Sequence, residues 1–353
     1  MHRRILLLIT DLEIGGTPTV VRELALRLRD PARHIHVEVA CLRPPGPVAD
    51  QLTSAGIRVT PLYARGPFDL PRTVHRLNHL LASRLFDTCF SFLLHANAVA
   101  AFSSLFLHEV RYIQSIQTTQ PSPRWHWTAQ RLIHHAARTV VVPTPSVAQA
   151  AQSRSHIPAD KLIVIPNAVD LPILSPTPRP PGPHRIVFIG RLDPIKRIPD
   201  LIASLDHLPP DTELHLYGEG PERANITPSP RVILHGSIPS PAPALANADV
   251  LVLPSAAEGF GLVLIEAMAA GVPVVATDVP GIRDVVRHNH TGLLVPVASP
   301  PALAAAIQRL RTDDSLRSTL IANARADVAQ HFSWPTVIQQ YQKLLNIQPE
   351  DEE

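Results

Sequence analysis

The chain alternates short, unbroken apolar runs with longer segments whose apolar positions recur every three or four residues. Residues 5–9, Ile-Leu-Leu-Leu-Ile, form the first run. With no polar alternation it reads as a strand covered on both faces. A turn carrying Gly15 and Gly16 follows, then a helix with Val20, Val21, Leu24, Leu26 and Leu28 as its apolar positions. Further strands are predicted at 35–42, 57–60, 87–93, 110–116, 139–142 and 162–165, with helices between several of them, notably 70–85 and 125–137. Residues 171–184 hold six prolines in fourteen positions and read as a stiff linker. The alternation then restarts, with strands at 185–189, 213–217, 232–234, 250–253, 273–276 and 293–296 and a helical tail over 301–345. This order predicts α/β architecture: two doubly wound, Rossmann-like domains at 1–170 and 185–331, joined by the linker and facing a central cleft. Ligands in such sheets sit beyond the carboxyl ends of the strands.

Composition agrees with two globular domains. The length of 353 residues exceeds one ordinary core, and 45% hydrophobic with 18% charged residues is an ordered balance. The net charge of +2 hides an asymmetry. Residues 1–168 hold 18 Lys and Arg against 10 Asp and Glu, and residues 169–353 hold 14 against 20. A basic and an acidic half imply different partners. Cys41 and Cys89 lie far apart without metal or redox spacing and read as buried thiols of a reducing compartment. The apolar run after Arg3 and Arg4 is too short for a signal peptide or a membrane span, so the expected location is cytoplasmic.

Candidate chemistry centres on residues 256–271. A buried strand runs into a small-residue turn with Glu258, Gly259 and Gly261, then into a helix of good formers that stops at Gly271. Strand, glycine turn and helix start together make an anion site, because unpaired amides and the positive helix end point at whatever sits there. Glu258 and Glu266, eight residues apart, add hydroxyl-binding acids, which suggests a ligand with both phosphate and hydroxyls, such as a sugar nucleotide. The Gly15 and Gly16 turn is also phosphate-friendly, or else a tight turn needing positive φ. After the strand ending at Ile189 come Gly190, Arg191, Lys196 and Arg197, basic residues suited to a diphosphate or simply solvated.

These residues carry a resemblance. Gly190-Arg191-Leu, Lys196, Tyr217-Gly-Glu219-Gly-Pro, His235-Gly236, Pro-Ser255-x-x-Glu258, the Glu258-x7-Glu266 element and Ala-Gly271-Val-Pro-Val-Val-Ala276 together resemble the donor-binding half of the family 4 retaining glycosyltransferases, which have the two-Rossmann GT-B architecture. The match spans nearly the whole chain, strongest over 185–296 and weakest over 46–119. It implies a metal-independent transfer of a sugar from a UDP- or GDP-sugar to a hydroxyl of a glycan or lipid-linked acceptor. Arg191 and Lys196 would bind the diphosphate, Glu258 the transferred sugar and Glu266 the ribose. Gly15, Gly16, Gly190, Glu219 and the backbone of Phe260, Gly261 and Leu262 would line the donor. The chain has no Asp-x-Asp cluster of the kind that places a metal between phosphates, since Asp313-Asp314 lies in the helical tail. In this family the leaving phosphate takes the acceptor's proton, so no enzyme nucleophile is required. The helix at 332–347 would pack back on the N-terminal domain, and 350–353 would be a frayed acidic tail.

On the acceptor side the family often places a histidine after its fourth strand. His95, ending the apolar strand at 87–93 with Asn97 as assistant, is the candidate, or else a core histidine bonded to backbone. A second position, often a Thr-x-His-Thr-like turn, reads Ser115-Ile-Gln117-Thr118, with Gln117 in place of histidine. Arg124, Trp125, Trp127 and Arg131 interleave aromatic and basic residues on one helix. They read as a contact for an anionic membrane surface on the inner face of the cytoplasmic membrane, or as core tryptophans with solvated charges. No lysine-rich tract or stacking motif suits nucleic acid. Two other classes remain open: a sugar-nucleotide epimerase of the same architecture, and a non-catalytic sugar-nucleotide-binding protein.

Overall fold

The computed structural model describes residues 3–120, 123–171 and 182–347. Most of the proline-rich linker, 172–181, and the acidic tail at 350–353 lie outside the described residues. The chain divides into two compact units, Met1–Pro166 with Ile338–Glu353, and Asn167–Val337.

In chain order the first unit contains β1 (Arg3–Ile9), α1 (Gly16–Leu28), β2 (Ile35–Cys41), α2 (Pro47–Ser54), β3 (Val59–Pro61), α3 (Leu70–Ser83), β4 (Thr88–Phe92), α4 (Leu94–Ser103), β5 (Arg111–Ser115), α5 (Trp125–Ile133), β6 (Thr139–Val142), α6 (Pro145–Ser155) and β7 (Leu162–Val164). Its seven described strands are ordered β3-β2-β1-β4-β5-β6-β7, and every pairing is parallel. Position follows from sequence. The unbroken apolar run of β1 has strands on both sides, and residues Ile5 to Ile9 are at most 1% exposed. Burying such a side chain contributes about 1.5–3 kcal/mol. β7 closes one edge, where Ile163 and Val164 stay exposed.

The second unit contains β8 (His184–Ile189), α7 (Ile198–Ser204), β9 (Thr212–Tyr217), β10 (Val232–Gly236), α8 (Ala242–Leu245), β11 (Val250–Leu253), α9 (Leu262–Ala270), β12 (Val274–Thr277), β13 (Leu293–Val295), α10 (Pro300–Thr312) and α11 (Asp314–His331), with α12 (Trp334–Leu344) following. Its sheet is ordered β10-β9-β8-β11-β12-β13, again all parallel. The helical tail expected over 301–345 consists of α10, α11 and α12. Asp313 ends α10 and caps α11, accepting the Leu316 N–H at 2.9 Å. The chain breaks again at Phe332 and Ser333.

The unit boundary falls at 166/167, ahead of the prolines. Val169 donates its N–H to Phe332 O and accepts from Trp334 N–H, a bridge that fastens residues 167–169 to the second unit. From Ile338 onward the chain belongs to the first unit, where Tyr341, 1% exposed, packs its ring 6.2 Å from that of Phe90 on β4. Tyr341→Ala removes a large buried ring, a loss of about 3–5 kcal/mol for aromatic truncations. At about 2–4 °C per kcal/mol, differential scanning calorimetry should show the first unit's midpoint falling by at least about 6 °C.

Candidate active site

In the second sheet β8 and β11 are neighbours, yet the chain leaves β8 toward β9 and leaves β11 toward β12. Their carboxyl-end loops therefore part from each other, which makes the topological switch point where open parallel sheets hold ligands. The β8 loop carries Gly190, Arg191 and Lys196, and the β11 loop carries Ser255, Glu258 and Gly261. The two loops are stitched together. Ala256 donates its N–H to Ile195 O at 2.8 Å, and Lys196 Nζ forms an ion pair with Glu258 Oε1. Glu258 Oε1 also accepts from Ser255 Oγ at 2.8 Å, and Ser255, fully buried, accepts at its carbonyl from Thr277 Oγ1. The side chains are 19% exposed for Lys196 and 12% for Glu258. So the pair is largely shielded from water, unlike an exposed pair worth about 0–1 kcal/mol.

Beyond Glu258 the chain turns into α9. Gly261 adopts φ 80°, which glycine takes without steric cost, and a Cβ there would come within 2.9 Å of Leu264 Cδ1. Phe260 is 3% exposed and edge-on to Phe332 at 5.6 Å, so only its main chain faces the turn. The first turn of α9 has neither a side-chain cap nor an acidic residue. Its positive end is thus unopposed within that turn. Glu266 lies in the second turn, half-buried.

The β8 loop is braced from its other side. Gly190 N–H donates to Tyr217 O and Leu192 N–H to Glu219 O, both at 2.9 Å. Gly218, at φ 142°, lets the loops touch: a Cβ there would lie 1.9 Å from Gly190 O. Glu219 is exposed and paired with Arg223 at 3.3 Å. The Arg191 side chain is 71% exposed, its Nε 2.7 Å from Asp193. An exposed pair of this kind is weak, which leaves the guanidinium able to exchange partners.

The first sheet has its own switch point, between β1 and β4. Gly15 and Gly16 follow β1, and both are exposed. Gly15 has φ 175°, extended backbone open to any residue. A Cβ would meet nothing within 4 Å at Gly16 and only Pro18 Cδ at 3.7 Å at Gly15. The fold itself therefore does not demand these glycines, and the alternative of a positive-φ turn falls away.

After β4 the backbone is strained. Leu93 has φ 72° and ψ 154°, a region populated almost only by glycine that costs about 1–3 kcal/mol. This places His95 in the first turn of α4, not at the strand end the sequence suggested. His95 is exposed, with its ring edge-on to Trp125 at 6.4 Å and His126 at 6.2 Å. Loss of hydration lowers its pKa, aided by the Arg43 charge and opposed by Asp11, so the neutral ring is favoured. Asn97 is no assistant: it is 1% exposed and bonded to Ser91 Oγ, Ser115 O and Gln130 Oε1. Gln117 Nε2 donates to Ser115 Oγ at 2.7 Å.

Arg124, just before α5, and Trp125 and Arg131 on it are exposed, whereas Trp127 is 7% exposed and donates its indole N–H to Gln120 O at 2.8 Å. Trp127 therefore belongs to the core and not to a surface stripe. Among the described residues no helix is long and apolar enough to cross a membrane, and no group of three or more His, Cys, Asp and Glu is placed to hold a metal ion.

Ser255 and Leu93 carry parts of this geometry that sequence reasoning did not assign. Ser255 had a signal in its spacing to Glu258; Leu93 had none. Since lost hydration is the main cause of the His95 shift, an NMR titration should place its midpoint below the ordinary histidine value of about 6.5, and Trp125→Ala should move it upward.

Residues 14–172 match the model of Glycosyltransferase Family 4, and residues 183–313 match that of Glycosyl transferases group 1. The chain is 34% identical over 199 residues to a phosphatidyl-myo-inositol mannosyltransferase of Mycobacterium leprae, covering 52% of each chain. It is 32% identical over 168 residues to an N-acetyl-alpha-D-glucosaminyl L-malate synthase of Bacillus anthracis, covering 45% of this chain and 44% of that one. It thus spans about half the length of these curated relatives. Anabaena HepE, solved with UDP and glucose, superposes with a TM-score of 0.86 at 22% identity, over 98% of this chain and 100% of that one. A Rickettsia africae glycosyltransferase gives 0.82 at 17%, over 98% of each. The fold class is GT-B, as the sequence suggested. The two family models together cover most of both units, and the chain belongs to the family 4, group 1 glycosyltransferases.

Proposed function

We propose that the protein is a retaining glycosyltransferase that moves a sugar from a nucleoside diphosphate donor to a hydroxyl of a glycan or lipid-linked acceptor. The observation that carries this reading is the Lys196–Glu258 pair at the β8/β11 switch point, beside the uncapped start of α9. A cation and an acid held together there suit a ligand with phosphate next to sugar hydroxyls. Arg191 and Lys196 take the diphosphate, Glu258 the transferred sugar and Glu266 the ribose, with UDP or GDP as the nucleotide. Relatives named as sugar transferases, and a structural neighbour solved with UDP and glucose, support the assignment.

The chemistry follows from where charge develops. As the bond from the sugar's C1 to the phosphate oxygen breaks, its electron pair goes to the leaving diphosphate. Fixed cations and helix amides stabilise that charge without reorganising. The acceptor oxygen forms the new bond to C1 on the same face, and its proton passes to the departing phosphate oxygen. The products are a glycoside of unchanged anomeric configuration and a nucleoside diphosphate. The neutral ring of His95 serves as a hydrogen-bonding partner on the acceptor side, and Gly15 and Gly16 admit close approach of a ligand to the backbone.

Removing a transition-state donor typically costs about 10²–10³ in rate. Lys196→Ala should therefore lower kcat/KM for transfer by at least about 100-fold, read as nucleoside diphosphate release. EDTA should leave the wild-type rate unchanged, and the product's anomeric carbon should match the donor's by NMR. Accumulation of an epimerised sugar would indicate the epimerase instead. Binding without turnover would indicate a nucleotide-sugar receptor.

A further inference from the structure

A polar cavity of about 420 Å3 opens at the amino-end edge of the first sheet. Its lining includes Ser104, His108, Glu109, Arg111, Tyr112 and Arg138. Arg111 opens β5, and Arg138 immediately precedes β6, its N–H bonded to Tyr112 O at 3.0 Å. Because every strand is parallel, these amino ends lie at the edge away from Gly15, Gly16 and His95, which follow carboxyl ends. The cavity is therefore separate from the acceptor-side residues described above.

Its chemistry is that of an anion site. Among the described residues neither Arg111 nor Arg138 makes an ion pair. Arg111 Nε is buried and makes no hydrogen bond among the described residues. Loss of hydration lowers the Arg111 pKa, and the charges of Arg138 and Arg3 lower it further, against a smaller opposing effect of Asp87. Asp87 is engaged elsewhere, accepting from the Arg4 N–H and from Thr88 Oγ1. Glu109 offsets one positive charge, which leaves the lining net positive. Tyr112 is only a wall, since its hydroxyl bonds Ser103 Oγ at 2.8 Å.

We propose that this cavity binds a phosphate monoester, through the guanidinium groups of Arg111 and Arg138 with His108 as a further donor; the Ser104 hydroxyl donates instead to Ala101 O at 2.7 Å. Two guanidinium forks suit a compact dianion with several oxygens. The volume is within the range of small-molecule sites and exceeds what a bare phosphate needs. The ester could be a soluble metabolite or a lipid headgroup. Exposed Phe102, Leu105 and Phe106 lie next to Ser104, where an acyl chain would rest.

The test uses the intact chain and two probes: sn-glycerol 3-phosphate by isothermal titration, and co-sedimentation with phosphatidylcholine vesicles with and without phosphatidic acid. Binding of the soluble ester, or selective binding of the acidic vesicles, is expected. Two lost charge-assisted contacts should weaken it by at least about tenfold in Arg111→Gln/Arg138→Gln. Arg138→Gln alone, at an exposed position, guards against a folding defect and should show a smaller loss of the same kind. Lys196→Ala should bind like wild type, which separates this site from the donor site. Absence of binding to either probe would overturn the proposal. So would loss of binding in Lys196→Ala with none in the arginine variants.

Discussion

All strands of each sheet are parallel, and that constraint governs the rest of the molecule. A parallel strand must return by a crossover, so every carboxyl end feeds a loop and often a helix start on one edge, while every amino end lies on the other. Where the strand order reverses, at β1/β4 and at β8/β11, adjacent loops diverge and leave room for a ligand. Gly16, His95, Lys196 and Glu258 all follow strands at these points. The arginine cavity occupies amino ends instead. One topological rule thus sorts the chemistry of the first unit onto two edges.

Within the second unit, backbone bonds give the site its rigidity. The loops after β8 and β9 are laced amide to carbonyl, at an approach only Gly218 permits. The Lys196–Glu258 pair then closes the site from the β11 side. A shielded pair costs desolvation, and removing one member strands the other, which is about 3–5 kcal/mol when burial is complete. A site built this way is preorganised yet can redirect its charges, since each partner has an obvious substitute in a phosphate or a sugar hydroxyl.

Much of this was legible in the sequence. The unbroken run of residues 5–9 announced a strand covered on both faces, though not its place in the strand order, and Glu258, Gly261 and Gly271 marked a strand–turn–helix element at its true place. What escaped has physical causes. Trp125 and Trp127 looked like one stripe, but at about 100° per residue two positions apart point to nearly opposite sides of a helix, and only Trp125 is exposed. His95 was read as a strand end because the chain turns at Leu93, a residue with no propensity for positive φ. Asn97 looked like a site residue because its partners Ser91, Ser115 and Gln130 come together only in the fold. Arg111 and Arg138 are distant in sequence, and the basic charge of the first half gave no hint that they share a cavity.

The central claim is that Lys196 and Glu258 form the handle for a donor's diphosphate and sugar. Isothermal titration of UDP and GDP beside uridine and guanosine, on wild type and Lys196→Ala, tests it without needing the acceptor. One diphosphate should bind wild type, and its affinity should fall by at least about tenfold in Lys196→Ala while any affinity for the matching nucleoside is unchanged. Equal diphosphate affinity in both proteins would contradict the account.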